Sequence, residues 1–199
     1  MHTRVVTFTG AKNIDNGVAY VRDEVVPNLN AQKGYRGLMV STDRSNGVLG
    51  ILSLWETEAD REASDGALAK NRQEGLNIIG GELTVETFEQ LLAEISAPPS
   101  QGSPLMVTRI SMEPTKIDEH FAFFRSEVVP RIKSSPGFRS LRNMINRQTG
   151  HGIVGTVWAD QEAMKSAAAD AQSRRPEAIA RGVTFDDVSY REIVFADLR

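Results

Sequence analysis

Two hydrophobic rhythms alternate along the chain, and the alternation then repeats. Arg4 to Thr9 and Met106 to Met112 are short runs rich in β-branched residues and predict strands. After each run, apolar residues recur at three- and four-residue steps: Ile14, Val18, Val21, Val25 and Leu29, then Ile117, Phe121, Phe124, Val128 and Ile132. That spacing predicts an amphipathic helix with one buried stripe. Asp15 and Asp118 stand where an N-cap or first-turn acid belongs. Pro27 and Pro130 kink each helix or begin its exit, and Gly34 and Gly137 follow as terminating glycines. Leu38 to Arg44 and Val48 to Trp55 are apolar runs joined through Ser45-Asn46-Gly47, a strong hairpin signal. The second copy carries the less specific Gln148-Thr149-Gly150 there.

A second helix starts at Thr57-Glu58-Ala59-Asp60, which has the form of a capping box, and at Asp160 in the later copy. Its inner face reads as Ala59, Ala63 and Ala67, or Ala163, Ala167 and Ala171, small enough for the helix to lie close on a sheet. Gly80-Gly81 stops the first of these helices, and Val85 to Leu92 or Val188 to Phe195 supplies a last strand. The order βαββαβ, twice, predicts an α+β protein of two ferredoxin-like units, each with two helices over one antiparallel sheet.

The repeat is explicit in the residues. At an offset of 103, Tyr20-Val21-Arg22-Asp23-Glu24-Val25-Val26-Pro27 falls on Phe123-Phe124-Arg125-Ser126-Glu127-Val128-Val129-Pro130. Gly34-Tyr35-Arg36 meets Gly137-Phe138-Arg139, and Trp55 meets Trp158. From position 14 to 60 the ungapped overlay holds 14 identities in 47 positions, where unrelated sequences give roughly three. Pro, Gly and Ser concentrated over 96–104 mark a linker, so the expected domains are 1–95 and 105–199.

Composition narrows the function. The chain has no Cys, which removes disulfides, thiolate metal sites and cysteine nucleophiles. A net charge of -3 argues against nucleic-acid binding. No apolar run is long enough to span a bilayer, and no secretory signal follows Met1, so a cytoplasmic protein is expected. The halves differ in charge: nine basic and 14 acidic residues to position 95 give -5, and 14 and 12 after position 104 give +2.

An amphipathic first helix, a Gly-aromatic turn and a Trp closing the third strand before an acidic, Ala-rich helix together carry a resemblance. Gly34-Tyr35-Arg36-Gly37, Gly137-Phe138-Arg139-Ser140, Leu54-Trp55-Glu56-Thr57 and Val157-Trp158-Ala159-Asp160 are its motif words. The pattern resembles the antibiotic biosynthesis monooxygenase family of the dimeric α/β barrel superfamily. In that family two units pair their sheets into a barrel, usually as a homodimer. Together with the duplication, the resemblance implies that this chain builds the barrel within one polypeptide. It also implies a monooxygenase acting on a small aromatic substrate without metal, flavin or other cofactor. The alternative is a non-catalytic barrel that binds a small apolar molecule or serves as structure. Haem degraders of the superfamily use an axial His on the second helix, and neither copy has one there. Exposed helix faces also leave a homodimer of the duplicated chain open.

The candidate site residues are few. On a 100° wheel, Arg22 falls between Leu29 and Val26, and Arg125 between Ile132 and Val129. An Arg inside an apolar arc needs a partner, either a rim carboxylate or a bound anion or carbonyl at a pocket mouth. Trp55 and Trp158 read either as a stacking wall for an aromatic ligand or as packing between strand and helix. His120 reads either as a surface residue or as a general base reaching a pocket. Its counterpart is Gly17, and His151 likewise has only Val48 opposite it. No paired metal-ligand spacing, nucleophile elbow or phosphate loop appears. Divergence at the histidines and in the second helix suits a third arrangement, in which one half keeps a pocket and the other is scaffold.

Overall fold

A computed structural model describes residues 1–198. Each copy follows the expected order. The first has β1 (His2–Thr9), α1 (Ile14–Tyr20), a π-helical turn (Val21–Val25), α2 (Val26–Asn30), β2 (Tyr35–Asp43), β3 (Val48–Trp55), α3 (Glu58–Ala63), α4 (Asp65–Ile79) and β4 (Glu82–Ile95). The second has β5 (Pro104–Ser111), a short 3-10 turn, α5 (Ile117–Phe123), a π-helical turn (Phe124–Val128), α6 (Val129–Ser134), β6 (Phe138–Ile145), β7 (His151–Trp158), α7 (Gln161–Ala180) and β8 (Thr184–Leu198). The strands hydrogen-bond in the closed order β1-β3-β2-β8-β5-β7-β6-β4, an antiparallel eight-strand barrel.

Two compact units emerge, and they trade strand ends. Among the described residues, unit 1 is 1–88 with 100–102 and 192–198, and unit 2 is 89–99 with 103–191. The last strands explain the exchange, because at 14 and 15 residues they are far longer than the expected runs. The end of β8 pairs with β2 in unit 1, from Gly37↔Leu198 to Thr42↔Glu192. The end of β4 pairs with β6 in unit 2, from Glu89↔Ile145 to Ile95↔Ser140. The segment between β4 and β5 is irregular, as its Pro and Gly content requires.

Both first helices contain a π turn, and this corrects the wheel. In copy one the buried positions are Ile14, Gly17, Val21, Val26 and Leu29. The five-residue step from Val21 to Val26 is the π insertion, which rotates the rest of the helix by about one residue. Arg22 therefore leaves the apolar arc: it is 55% exposed and pairs with Asp23 at 2.7 Å. Arg125, in the matching π turn, is exposed too.

The second helices also differ from expectation in copy one. Thr57 and Asp160 cap as predicted, accepting from the N–H groups of Asp60 and Ala163. Ala163, Ala167 and Ala171 lie on the inner side of α7, but Ala59, Ala63 and Ala67 are exposed. Copy one instead breaks its helix at Ser64 and buries Arg61, Ser64 and Leu68. The cause is Arg4, whose guanidinium donates to Ser64 Oγ at 3.0 Å and to the Arg61 carbonyl at 2.5 Å.

Candidate functional site

The two units place the same elements around the same spot, between the helices and the covered face of the sheet, and fill it differently. In unit 1, Arg4, Val6 and Phe8 of β1 meet Val21, Leu29, Leu68 and Ile79, leaving a void of about 50 Å³. In unit 2 the corresponding region is a cavity of about 170 Å³. The strand pairing gives the equivalences: Arg4 lies opposite Ser53 and Met106 opposite Thr156, so Met106 takes the place of Arg4. By the same register Thr108 stands for Val6, and at the offset of 103 Phe123, Phe124, Ala171 and Ala178 stand for Tyr20, Val21, Leu68 and Gly75.

Unit 1 is closed by volume and by charge. Gly17 is required because a Cβ there would meet Ile79 Cγ1 at 2.5 Å. Arg4, 2% exposed, ion-pairs with Asp65 at 2.8 Å and lies 5.4 Å above the Trp55 ring. Burial pulls its guanidinium down to about 10, against the opposing pull of Asp65.

Unit 2 inverts these choices. His120 occupies the place of Gly17, and Gly182, at the position of Ile79 in the overlay, has its Cβ site 4.0 Å from His120 Nε2. Three polar side chains replace three residues without hydrogen-bonding groups in their side chains: Thr108 for Val6, His120 for Gly17 and Asn143 for Val40. His120 and Asn143 are each only 7% exposed. Among the described residues none of the three side chains has a protein hydrogen-bond partner. Their donors and acceptors are therefore available to whatever fills the space. The remaining lining is mostly apolar, with Met106, Ile110, Phe124, Val154 and Phe185 prominent, and Arg131, Arg174, Arg175, Glu177 and Arg181 also border it.

Of the candidate site residues, His120 alone lines this cavity; Arg22 and Arg125 do not. Trp55 and Trp158 are only 0% and 1% exposed and border neither cavity. Each donates its Nε1 hydrogen to a hydroxyl one strand step away, Ser53 or Thr156, at 3.0 Å. Each also packs edge-on against an aromatic ring, Tyr35 or Phe138, the packing alternative of the two readings. Asn143, Thr108 and Arg175 were not among the candidates. Their signal is visible in the overlay: each is an inward position where the copies exchange an apolar for a polar residue or lose a charge partner. No group of three or more His, Asp or Glu placed to hold a metal occurs among the described residues, and none of their helices is long and apolar enough to cross a membrane.

No family model matches the chain. Two uncharacterised proteins of Mycobacterium tuberculosis are each 28% identical over 191 residues, covering 94% of this chain and 84% or 80% of their own length. The solved structure of an anthrone oxidase-like protein aligns with 99% of this chain and 92% of its own, with a TM-score of 0.75 at 13% identity. A Listeria monocytogenes ferredoxin-fold protein related to antibiotic biosynthesis monooxygenases aligns with 97% and 95%, with a TM-score of 0.55 at 12% identity. The fold of this chain is therefore that of the antibiotic biosynthesis monooxygenase-like proteins.

Proposed function

We propose that the chain is a monooxygenase-like oxidoreductase that binds a small aromatic molecule in unit 2, with unit 1 retained as scaffold. The observation that carries this reading is the set of unpaired polar groups, Thr108, His120 and Asn143, lining a mostly apolar cavity whose counterpart in unit 1 is nearly filled. Such a lining orients an apolar body by a few polar contacts. His120 is the proton acceptor, since it lines the cavity and a neutral imidazole carries one ring nitrogen with a free lone pair. Removing a proton from an acidic ring CH2 leaves a carbanion, which reacts with dioxygen. The net change converts CH2 and O2 into C=O and H2O, the substrate carbon losing four electrons to oxygen. Asn143 and Thr108 donate to the oxygen anion as it develops.

The second reading is a binding protein without turnover. It is favoured by the lack, among the described residues, of any group hydrogen-bonded to the His120 side chain, since a catalytic base is ordinarily oriented by a third residue. Anthrone, a tricycle with one acidic CH2, separates the two in an oxygen-uptake assay. The enzymatic reading expects uptake above the uncatalysed rate, lost by about 100-fold or more in His120→Gln with anthrone still bound. Binding without uptake selects the second reading. Absence of both, for anthrone and for simpler naphthalenes, overturns both.

A further inference from the structure

The second helices contain a charge exchange that the shape of the cavity does not require. In unit 1, Asp65 holds two arginines. Arg4 pairs with it at 2.8 Å, and Arg72 Nη1 lies 3.4 Å from its carboxylate while Nη2 donates to its carbonyl oxygen at 3.1 Å. In unit 2 the position of Asp65 is Ala168 and that of Arg4 is Met106. The acid and one cation are gone, yet the second cation remains as Arg175.

Arg175 is half-buried and lines the cavity. Its guanidinium lies 5.1 Å from the centre of the Phe185 ring and has no ion pair or hydrogen bond among the described residues. The other arginines on the cavity wall are engaged. Arg174 bonds to Asp170, Arg181 lies 4.0 Å from Glu177 and 3.9 Å from the Phe123 ring centre, and Arg131 lies 4.0 Å from Glu127. A planar five-donor fork with no acid to pair with offers its full donor set to an oxyanion, and its geometry matches a carboxylate.

We infer that the molecule held in unit 2 carries an anionic oxygen group, such as a carboxylate, on its apolar body, and that Arg175 binds that group. This rests on the ligand-binding reading above, whether or not turnover follows. The occupant is thus an aromatic acid, with the ring among Met106, Phe124 and Val154 and the acid at the helix α7 side.

The test uses 2-naphthoate and the nearly isosteric 2-naphthamide, titrated calorimetrically into the full chain. The wild type is expected to bind the acid roughly tenfold or more tightly than the amide. Arg175→Gln removes the difference by lowering affinity for the acid alone. Ala168→Asp gives Arg175 back its partner and removes the difference without touching the arginine, so a folding defect in one variant leaves the other informative. A preference that survives Arg175→Gln but is removed by His120→Gln assigns the anion to His120 instead and overturns the inference. Equal affinity for acid and amide in the wild type overturns it too, while leaving the cavity reading intact. Failure of both compounds to bind, or binding that survives filling the cavity with Ala171→Leu, defeats the cavity reading itself.

Discussion

Units 1 and 2 share one sequence pattern, yet one interior is nearly filled and the other holds a cavity. The difference lies in a handful of positions. Unit 1 places Ile79 against Gly17 and secures its second helices with Arg4, Asp65 and Arg72. Unit 2 sets His120 beside Gly182, replaces Leu68 by Ala171, and substitutes Met106 and Ala168 for the ion pair. An ion pair with one partner buried, as Arg4 is buried beside the 48% exposed Asp65, costs desolvation and is rarely better than apolar packing. Its presence in unit 1 accompanies a helix broken at Ser64, whereas α7 runs unbroken for 20 residues even through Pro176. The comparison teaches that two units with the same element order can differ in volume and charge at matched sites while the elements stay put.

Transplanting residues between the copies breaks the comparison most sharply at Gly17. Gly17→His forces a side chain into Ile79 and Leu49, with contacts of 2.5 and 3.3 Å already at Cβ. It is expected to cost about 3 kcal/mol in chemical denaturation, whereas the reverse change, His120→Gly, costs only about 1 kcal/mol from helix propensity. Equal costs would mean that the two interiors are packed alike. Arg4→Met, which installs the residue of unit 2, strips donors from Ser64 and the Arg61 carbonyl and leaves Asp65 with Arg72 alone. A loss of about 2 kcal/mol is expected, and a gain in stability would show that Met can take over the site unaided. Ala171→Leu, the exchange in the other direction, falls where space exists, so stability should change by less than about 1 kcal/mol while affinity for naphthalene acids drops at least tenfold. Smallest of all, Arg22→Ala and Arg125→Ala should leave both the unfolding midpoint and ligand affinity unchanged, because surface charges contribute little. Loss of binding in either would restore the site that the helical wheel suggested.

Much of the architecture is legible in the sequence because it depends on local signals. Capping at Thr57 and Asp160, the turn at Asn46-Gly47 and the alternation of runs each act within a few residues. The lengths of β4 and β8 are not, since their extra residues are held by partners distant in sequence, Ile145 for Glu89 and Gly37 for Leu198. The arginine positions were misread for a related reason. A regular 100° wheel has no way to represent a π insertion, and the five-residue gap between Val21 and Val26 is recognisable only once burial is known. His120 could be singled out because it lacks a counterpart, whereas Arg175 has one in Arg72 and becomes informative only through the loss of Asp65 opposite it. Asn143 and Thr108 become visible when each inward position is read against its duplicate.

The central claim is that unit 2 alone holds the ligand site. The most direct test is the stoichiometry of 2-naphthoate binding by calorimetry, for the wild type and for Ala171→Leu. The account predicts one molecule per chain in the wild type and none at the same concentrations in the variant. Two molecules per chain, no binding at all, or a single site that survives Ala171→Leu would contradict it.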